Sequence, residues 1–589
     1  MTVLELTRYT IGDLDRISGA GADEPVLPMR HDGGLLLLGP VFGGGTGGGG
    51  AGGGGARGSG GGGGVCLRCA EDARLATLGR SVPRRDEGMR LGGLCSPALK
   101  PLVDVLVERV LADPDAYRDV VLAVRTDLAT VAEHRVRPRS GGCPVCGPLP
   151  EDSPDAATVV RTPVPVVPGT LRGANPRTDG DALREALFDL RHGPVGGLFR
   201  IGDLPLAAVT AEIVPDDQAG QAGFGRTGDY AGAERVALFE AVERHAGMRP
   251  RRVTTVLVAS YAELGETALD PTRLGLPDNE SPHTVEYHPD VRTRWVHGWS
   301  YTHAKPVAVP EHVAYWGMGH DAGPRFVDET SNGCGTGNSP TEAVLYGMFE
   351  IAERDAFLTA WYERKRLPRL AVRDGFVLHL ADRMAQLGYD LECFDATNDL
   401  GVPSVLSLAR YTGRDELPPR AFFAAGAGLD PDAAMRSAAA EVVVDVESAA
   451  KQHRARPDVH DRERLLELLA TPELIRTMED HVAVNGLPEA AGRYDFLVPG
   501  TPVDPVVPDV PRDDLDALLE HYVRTWAALD LEVIAVDQTD PVWRDRLGLH
   551  SAKVVVPGTV PMSFGERNRR TRGIPRLRPV GPPLPHPFP

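Results

Sequence analysis

The chain has 589 residues, 42% of them hydrophobic and 25% charged, the balance of a soluble globular protein with room for two or three domains. Its 63 Lys and Arg against 82 Asp and Glu give a net charge of −19, which argues against a general nucleic-acid binder. No run approaches the roughly 18 apolar residues of a membrane span, the N-terminus shows no signal-peptide pattern, and seven cysteines are too few for a disulfide scaffold, so a cytoplasmic location is expected.

In chain order, residues 1–146 read as a small domain. The apolar pieces "GGLLLLGPVF" and "VCLRCAEDARLATLGR" flank an insertion at 43–64 that is almost all glycine. Such a run cannot bury apolar surface and is expected to be a flexible loop. No Lys-Ser/Thr follows it at the spacing of a phosphate-binding loop. Cys66-x-x-Cys69 and Cys143-x-x-Cys146 form two knuckles whose four thiolates suit a structural, tetrahedral Zn²⁺. Two independent redox or buried pairs are the alternative. Cys95, Cys334 and Cys393 stand alone and are expected to be small buried residues.

Residues 147–180, rich in Pro and small residues, read as an interdomain linker. From 181 to 589, helical segments such as "DALREALFDLRHG" and "AERVALFEAVERHAG" alternate with strand-like "RVTTVLVAS" and "PSVLSLARY". The expected fold class is therefore α/β (or α+β), a large mixed domain preceded by the small zinc-binding one. A local basic stretch, "GERNRRTRG", lies at 565–573.

Two segments in this region look alike. "GFGRTGDYAGAERVALFEAVERHAG" and "SNGCGTGNSPTEAVLYGMFEIAERDAF" each open with what reads as a glycine-rich loop and continue into a helix ending in Glu-x-x-Glu-Arg. Glu240 and Glu243 share a face of the first helix; Glu342, Glu350 and Glu353 share a face of the second. Their neighbours on those faces are apolar, and carboxylates set among core residues need cations. Mg²⁺, which accepts carboxylates together with phosphates, is the hard cation that fits. Arg244 and Arg354 are placed to balance charge or to hold a phosphate oxygen. Solvated Glu–Arg pairs on surface helices are the plain alternative, which the doubling of the pattern disfavours.

The chain ends "PPLPHPFP", with proline at every second position from Pro583 to Pro589. Such a tail is either disordered or, as a stiff polyproline segment, threaded into a cavity at low entropic cost.

At these motifs the sequence resembles the YcaO family of ATP-dependent enzymes, over roughly residues 180–589. "NGCGTGNSPTEAVLYGMFEIAERDA" fits that family's most specific signature, and "AFFAAGAGLDPDAAMRSAAAE" is similar to its later glycine turn and helix, with Arg436 and Glu441 at the recurrent charged positions. The resemblance implies a nucleotide site without a Walker loop, in which Glu240, Glu243, Glu342, Glu350 and Glu353 bind Mg²⁺ on ATP. Asn338, Arg244, Arg354, Arg436 and Glu441 are implied as phosphate or nucleotide contacts. Family members often carry Gly-Lys-Gly in the first glycine segment; here it is Gly223-Phe224-Gly225-Arg226, so the Lys role is missing or passes to Arg226.

A C-terminal Pro-x-Pro-x-Pro is typical of the family's azoline-forming branch, which points to Pro585, Pro587 and Pro589 as part of the catalytic site. The implied reaction is attack of a Cys thiol or Ser/Thr hydroxyl of a ribosomally made precursor peptide on the preceding carbonyl. Phosphorylation of the resulting oxyanion by ATP and loss of phosphate then give thiazoline or oxazoline, with the Pro589 carboxylate as proton acceptor. The N-terminal part looks like the zinc-bearing end of the E1-like proteins that partner such enzymes. Only about 35 residues precede that similarity, so a separate leader-binding E1-like protein is the expected partner beside the peptide. Neither nucleic acid nor membrane is expected as a partner, and a homodimer is expected from common practice among enzymes. A thioamide- or amidine-forming enzyme of the same family, and a non-catalytic scaffold that binds a peptide or partner through its zinc domain, are the alternatives.

Overall fold

The computed structural model describes residues 2–6, 8–9, 11–19, 23–32, 34–44, 65–77, 89–90, 97–137, 143–214, 221–317, 323–414, 419–498 and 500–588. Most of the glycine insertion, Cys95 and Pro589 lie outside the described residues.

The apolar runs of the small domain build a five-stranded sheet in the order Thr2–Leu6, Val26–Asp32, Leu35–Leu38, Val120–Arg125, Thr130–Arg135. Its first pair is parallel and the others antiparallel. The central strands are apolar at successive positions because both faces are covered. Leu36, Leu38, Leu122 and Val124 meet the helix Lys100–Ala112 on one face. Leu37, Val121 and Ala123 meet Val65, Cys69 and Cys143 on the other. Period-two alternation thus sorts one hydrophobic run into two cores.

The proline-rich segment 147–180 contains only short helical turns, but it is bonded along its length to the α/β region. Asp152 Oδ2 accepts from the His297 amide at 2.9 Å, Arg161 pairs with Asp516 at 2.9 Å, and the Val164 amide donates to Asp514 at 3.0 Å. The segment is a strap laid across the larger domain.

The expected mixed α/β architecture is present. Three strands at sheet edges are each followed at once by a long helix: Gln221–Thr227 by Tyr230–Gly247, Cys334–Gly337 by Pro340–Tyr362, and Ala421–Ala427 by Pro431–Ala455. Asp229, Ser339 and Asp430 cap these helices by accepting backbone N–H bonds. Of the glycines ahead of the first two helices, Gly223, Gly225, Gly335 and Gly337 are not in loops, as their spacing suggested, but in the strands, with Gly228 and Gly333 just outside them. A Cβ on Gly225 would lie 1.8 Å from Ala233 O, and one on Gly335 would lie 2.3 Å from Ala343 O. Glycine is present because the helix backbone lies directly against the strand. The second of these strands belongs to a six-stranded sheet assembled from residues far apart in sequence, Leu257–Ala259 through His550–Val555. Among the described residues, no helix is long and apolar enough to cross a membrane.

Candidate functional site

The first two of these helices bring their Glu-x-x-Glu-Arg segments together. Glu240 accepts from Arg244 at 2.7 Å and, through its other oxygen, from the Phe224 amide at 2.6 Å. Glu350 pairs with Arg354 at 2.5 Å and accepts from the Gly333 amide at 2.7 Å. Each pair is an i,i+4 helical bridge, but the carboxylates also act on each other across the gap. Burial, then the Glu350 and Glu240 charges, push Glu243 well above the usual carboxylate range. Burial raises Glu350 against the pull of Arg354 and Lys553. Burial also lifts Glu353 to about 8, with the Glu350 and Glu441 charges adding to it. Carboxyls that burial raises even beside two arginines carry negative charge that is not fully compensated, which is the electrostatic condition for binding a divalent cation.

The third helix closes this cluster. Arg226 from the first glycine strand reaches Glu441 at 3.5 Å, and Asp445, one turn beyond Glu441, is lifted to about 7 by burial and by Glu441. Arg436 is not drawn in: it pairs with Asp374 at 2.7 Å, the cap of the helix Gly375–Gln386. Glu342 and Asn338 meet the strap. Arg172 bonds Glu342 at 2.7 Å, the Gly173 amide donates to it at 2.9 Å, and Asn338 donates to Gly173 O at 2.9 Å. Arg172 also lies 4.7 Å from the ring centres of both Phe239 and Tyr346, one on each acidic helix.

Sequence reasoning missed Arg172, Asn332, Gly333 and Asp445. Asn332 Oδ1 accepts from Arg354, while its amide donates to Glu329 at 2.7 Å and to Met562 O at 2.9 Å. Glu329 is in turn bonded by Arg570 at 2.7 Å. Gly333 has φ +70°, and a Cβ there would lie 2.3 Å from Val554 O. The Asn-Gly of the signature therefore orients Arg354 and Glu350. Asp445 carried a local signal in its i+4 spacing from Glu441, and Asn332 and Gly333 open the quoted signature, but what they and Arg172 contact depends on residues far apart in sequence.

The tail is threaded rather than loose. Pro585, His586, Pro587 and Phe588 are buried. Trp361 donates to Leu584 O at 3.1 Å, Asn485 to Pro585 O at 3.2 Å, and His481 Nδ1 meets His586 O at 3.0 Å. Phe588 lies against Phe357 with ring centres 3.8 Å apart, on the helix that carries Glu350 and Glu353.

The four knuckle cysteines converge, with Cys66 and Cys143 Sγ 3.6 Å apart and Cys69 and Cys146 Sγ 3.8 Å apart. These are not disulfide distances; they match the roughly 3.8 Å edge of a tetrahedron built on a Zn–S bond of about 2.3 Å. Cys334 and Cys393 are buried, and burial pushes their thiols up to about 12 and about 11.

A family model described as "YcaO cyclodehydratase, ATP- and Mg2+-binding" matches residues 224–560. An uncharacterized protein in the tfuA 3' region of Rhizobium leguminosarum bv. trifolii is 28% identical over 251 residues, 40% of this chain and 56% of that one. The chain spans about half the length of the curated relatives it matches. Among solved structures, a heterocyclase in complex with substrate and cofactor shares the fold at a TM-score of 0.71 and 20% identity, over 99% of this chain and 81% of that one. The heterocyclase TruD does so at 0.64 and 21%, over 98% and 77%.

Proposed function

The chain belongs to the YcaO family, and on that premise we propose that it catalyses the ATP- and Mg²⁺-dependent cyclodehydration of Cys, or Ser and Thr, residues of a ribosomally made precursor peptide to thiazoline or oxazoline. The observation that carries this reading is the cluster of Glu243, Glu350 and Glu353, all raised by burial, beside Glu240, Arg244 and Arg354.

When bound, Mg-ATP supplies a phosphoryl group that turns an amide oxygen, a poor leaving group, into a good one. Glu240, Glu243, Glu350 and Glu353 would hold the cation by hard oxygen ligands, as carboxylates whose charge the cation compensates. Glu342 is the fifth carboxylate of the proposed site: Arg172 and the Gly173 amide take one bond at each oxygen, and a carboxylate has about four acceptor positions. Arg244 and Arg354, now on Glu240 and Glu350, are free to share their guanidinium donors with phosphate oxygens. Arg226 and Asn338 line the same proposed nucleotide site, and Arg172 adds a cation on the strap side. Glu441 belongs to it through the third helix, while Arg436, paired with Asp374, stands outside the glutamate cluster.

Pro585 and Pro587 hold the tail in place in this reading, and the Pro589 carboxylate takes the proton of the attacking thiol. One residue added after Pro589 should stop cyclisation and spare ATP binding. Cys66, Cys69, Cys143 and Cys146 hold a structural Zn²⁺, and a separate E1-like protein presents the peptide.

The test is to mix the protein, the leader-binding partner, a Cys/Ser-rich precursor and Mg-ATP, and to weigh the peptide. The expected result is loss of one water mass per modified residue, abolished in Glu243→Gln together with ATP turnover. ATP turnover with a product mass other than dehydration would point to another reaction of the family. A protein that binds no ATP would overturn the reading of the glutamates.

A further inference from the structure

We propose that His134, Asp189 and His192 form a second Zn²⁺ site, which pins the N-terminal sheet to the α/β domain. His134 is the single buried side chain of the edge strand Thr130–Arg135; every other residue of that strand is exposed. It is aimed at a turn of the other domain, just after the helix Ala182–Leu187. In that turn the Arg191 and His192 amides both donate to Asp189 Oδ1, at 2.8 and 2.9 Å, which fixes the carboxylate.

His134 Nδ1 lies 3.1 Å from each Asp189 oxygen, and one ligand atom from each of the three residues falls within 4.8 Å of the other two. Two ligands on a tetrahedral zinc, with bonds of about 2.0–2.1 Å, sit roughly 3.3 Å apart, so a shared ion is compatible with this spacing. The rings of His134 and His192 are 5.7 Å apart and tilted by 42°, not stacked.

His134 Nδ1 has Asp189 as its partner, but hydrogen bonding within the protein does not account for the other ring nitrogens. His192 is 2% exposed, and neither of its ring nitrogens has a partner among the described residues. His134 Nε2 is likewise buried without one. Buried polar atoms are ordinarily paired, and an imidazole left open at both nitrogens beside a second imidazole and an anchored carboxylate is a donor set that Zn²⁺ satisfies. None of Arg30, Arg74 and Arg137, the cations around the cluster, forms an ion pair with Asp189. Arg30 is bonded to Glu71, as is Arg74, and Arg137 lies over the Trp543 ring at 5.3 Å. A bond from Thr77 to Arg191 O, 2.8 Å long, crosses the same junction, so the ion would reinforce an existing contact between the domains.

The test is a zinc-edge X-ray absorption spectrum of the full-length protein, equilibrated with zinc and freed of excess. The expected spectrum has nitrogen and oxygen scatterers beside any sulfur shell. Zinc content should fall by one equivalent per chain in His192→Gln and in His134→Gln, with the sulfur shell unchanged. A sulfur-only spectrum or no bound zinc in the unmodified protein would overturn the proposal without relying on any variant to fold. Unchanged zinc content and nitrogen scattering in His192→Gln would overturn it too.

Discussion

Arg354 illustrates what a single guanidinium needs in order to be useful. One arm pairs with Glu350 at 2.5 Å and another donates to Asn332, whose amide is in turn fixed by Glu329 and Met562 O. Arg570 and Lys553 neutralise Glu329, and together with the Asn332 and Arg570 hydrogen bonds they hold its carboxyl at about 2 against its burial. The chain of contacts runs from the core outward to one of the two guanidinium groups proposed to meet phosphate. Removing its middle link leaves Arg354 charged but unaimed. Asn332→Ala is therefore expected to weaken Mg-ATP binding by about tenfold to a hundredfold, the usual range for a residue that orients a ligand. Nucleotide titration calorimetry reads this directly. Affinity equal to that of the unmodified protein would show that Glu350 alone aims Arg354.

At the scale of elements, the three strand-then-helix units explain why the site recurs with the same residues. Each helix can lie flat on its strand only where the strand has no side chain. Gly335→Ala would set a Cβ 2.3 Å from Ala343 O and 2.7 Å from Gly347 N, both helix backbone. The expected loss of stability is about 1–3 kcal/mol or more, with weaker Mg-ATP binding because the same helix carries Glu350 and Glu353. Gly228, from the first glycine motif, would meet only Phe376 at 3.9 Å, so Gly228→Ala should stay within about 0.5 kcal/mol. Urea unfolding of the two variants separates them, and equal midpoints would remove the close-approach argument. This is also where the sequence was partly legible. Helical spacing located Glu240, Glu243, Glu350 and Glu353 on facing helices, because that period is a local property. It could not tell a glycine needed for a turn from one needed under a helix, since both read as Gly-x-Gly. Nor could it place Arg172 or Asn332, whose roles depend on a strap and on a sheet closed by residues beyond 530.

On the scale of the whole molecule, the last residues of the chain return to the helix at its centre, and histidines decide whether they stay. His586 Nε2 donates to Ser563 O at 2.8 Å, and its ring stacks on His481 at 4.3 Å. His481 donates from Nδ1 to His586 O and accepts from the Gly565 amide at 3.0 Å, so both of its nitrogens are committed in the neutral form. Burial takes His586 down from 6.5 to about 4, and burial together with His586 takes His481 well below its ordinary value. A released tail therefore binds protons that the threaded tail refuses. The contribution to stability is complete above pH 6.5 and is lost as pH falls through 6.5 toward 4, on the order of 3 kcal/mol for His586 alone. Between pH 7 and 5 the equilibrium for tail release should rise roughly twentyfold. Hydrogen exchange of the C-terminal peptide, corrected for its intrinsic pH dependence, measures that release. His586→Gln, which cannot titrate, should flatten the profile. Because Phe588 packs on Phe357 of the helix that holds Glu350 and Glu353, cyclisation should fall in the same pH window as protection. Protection that stays constant down to pH 5 would mean that the stacked histidines do not control the tail, and any acid loss of activity would then have to come from the glutamates.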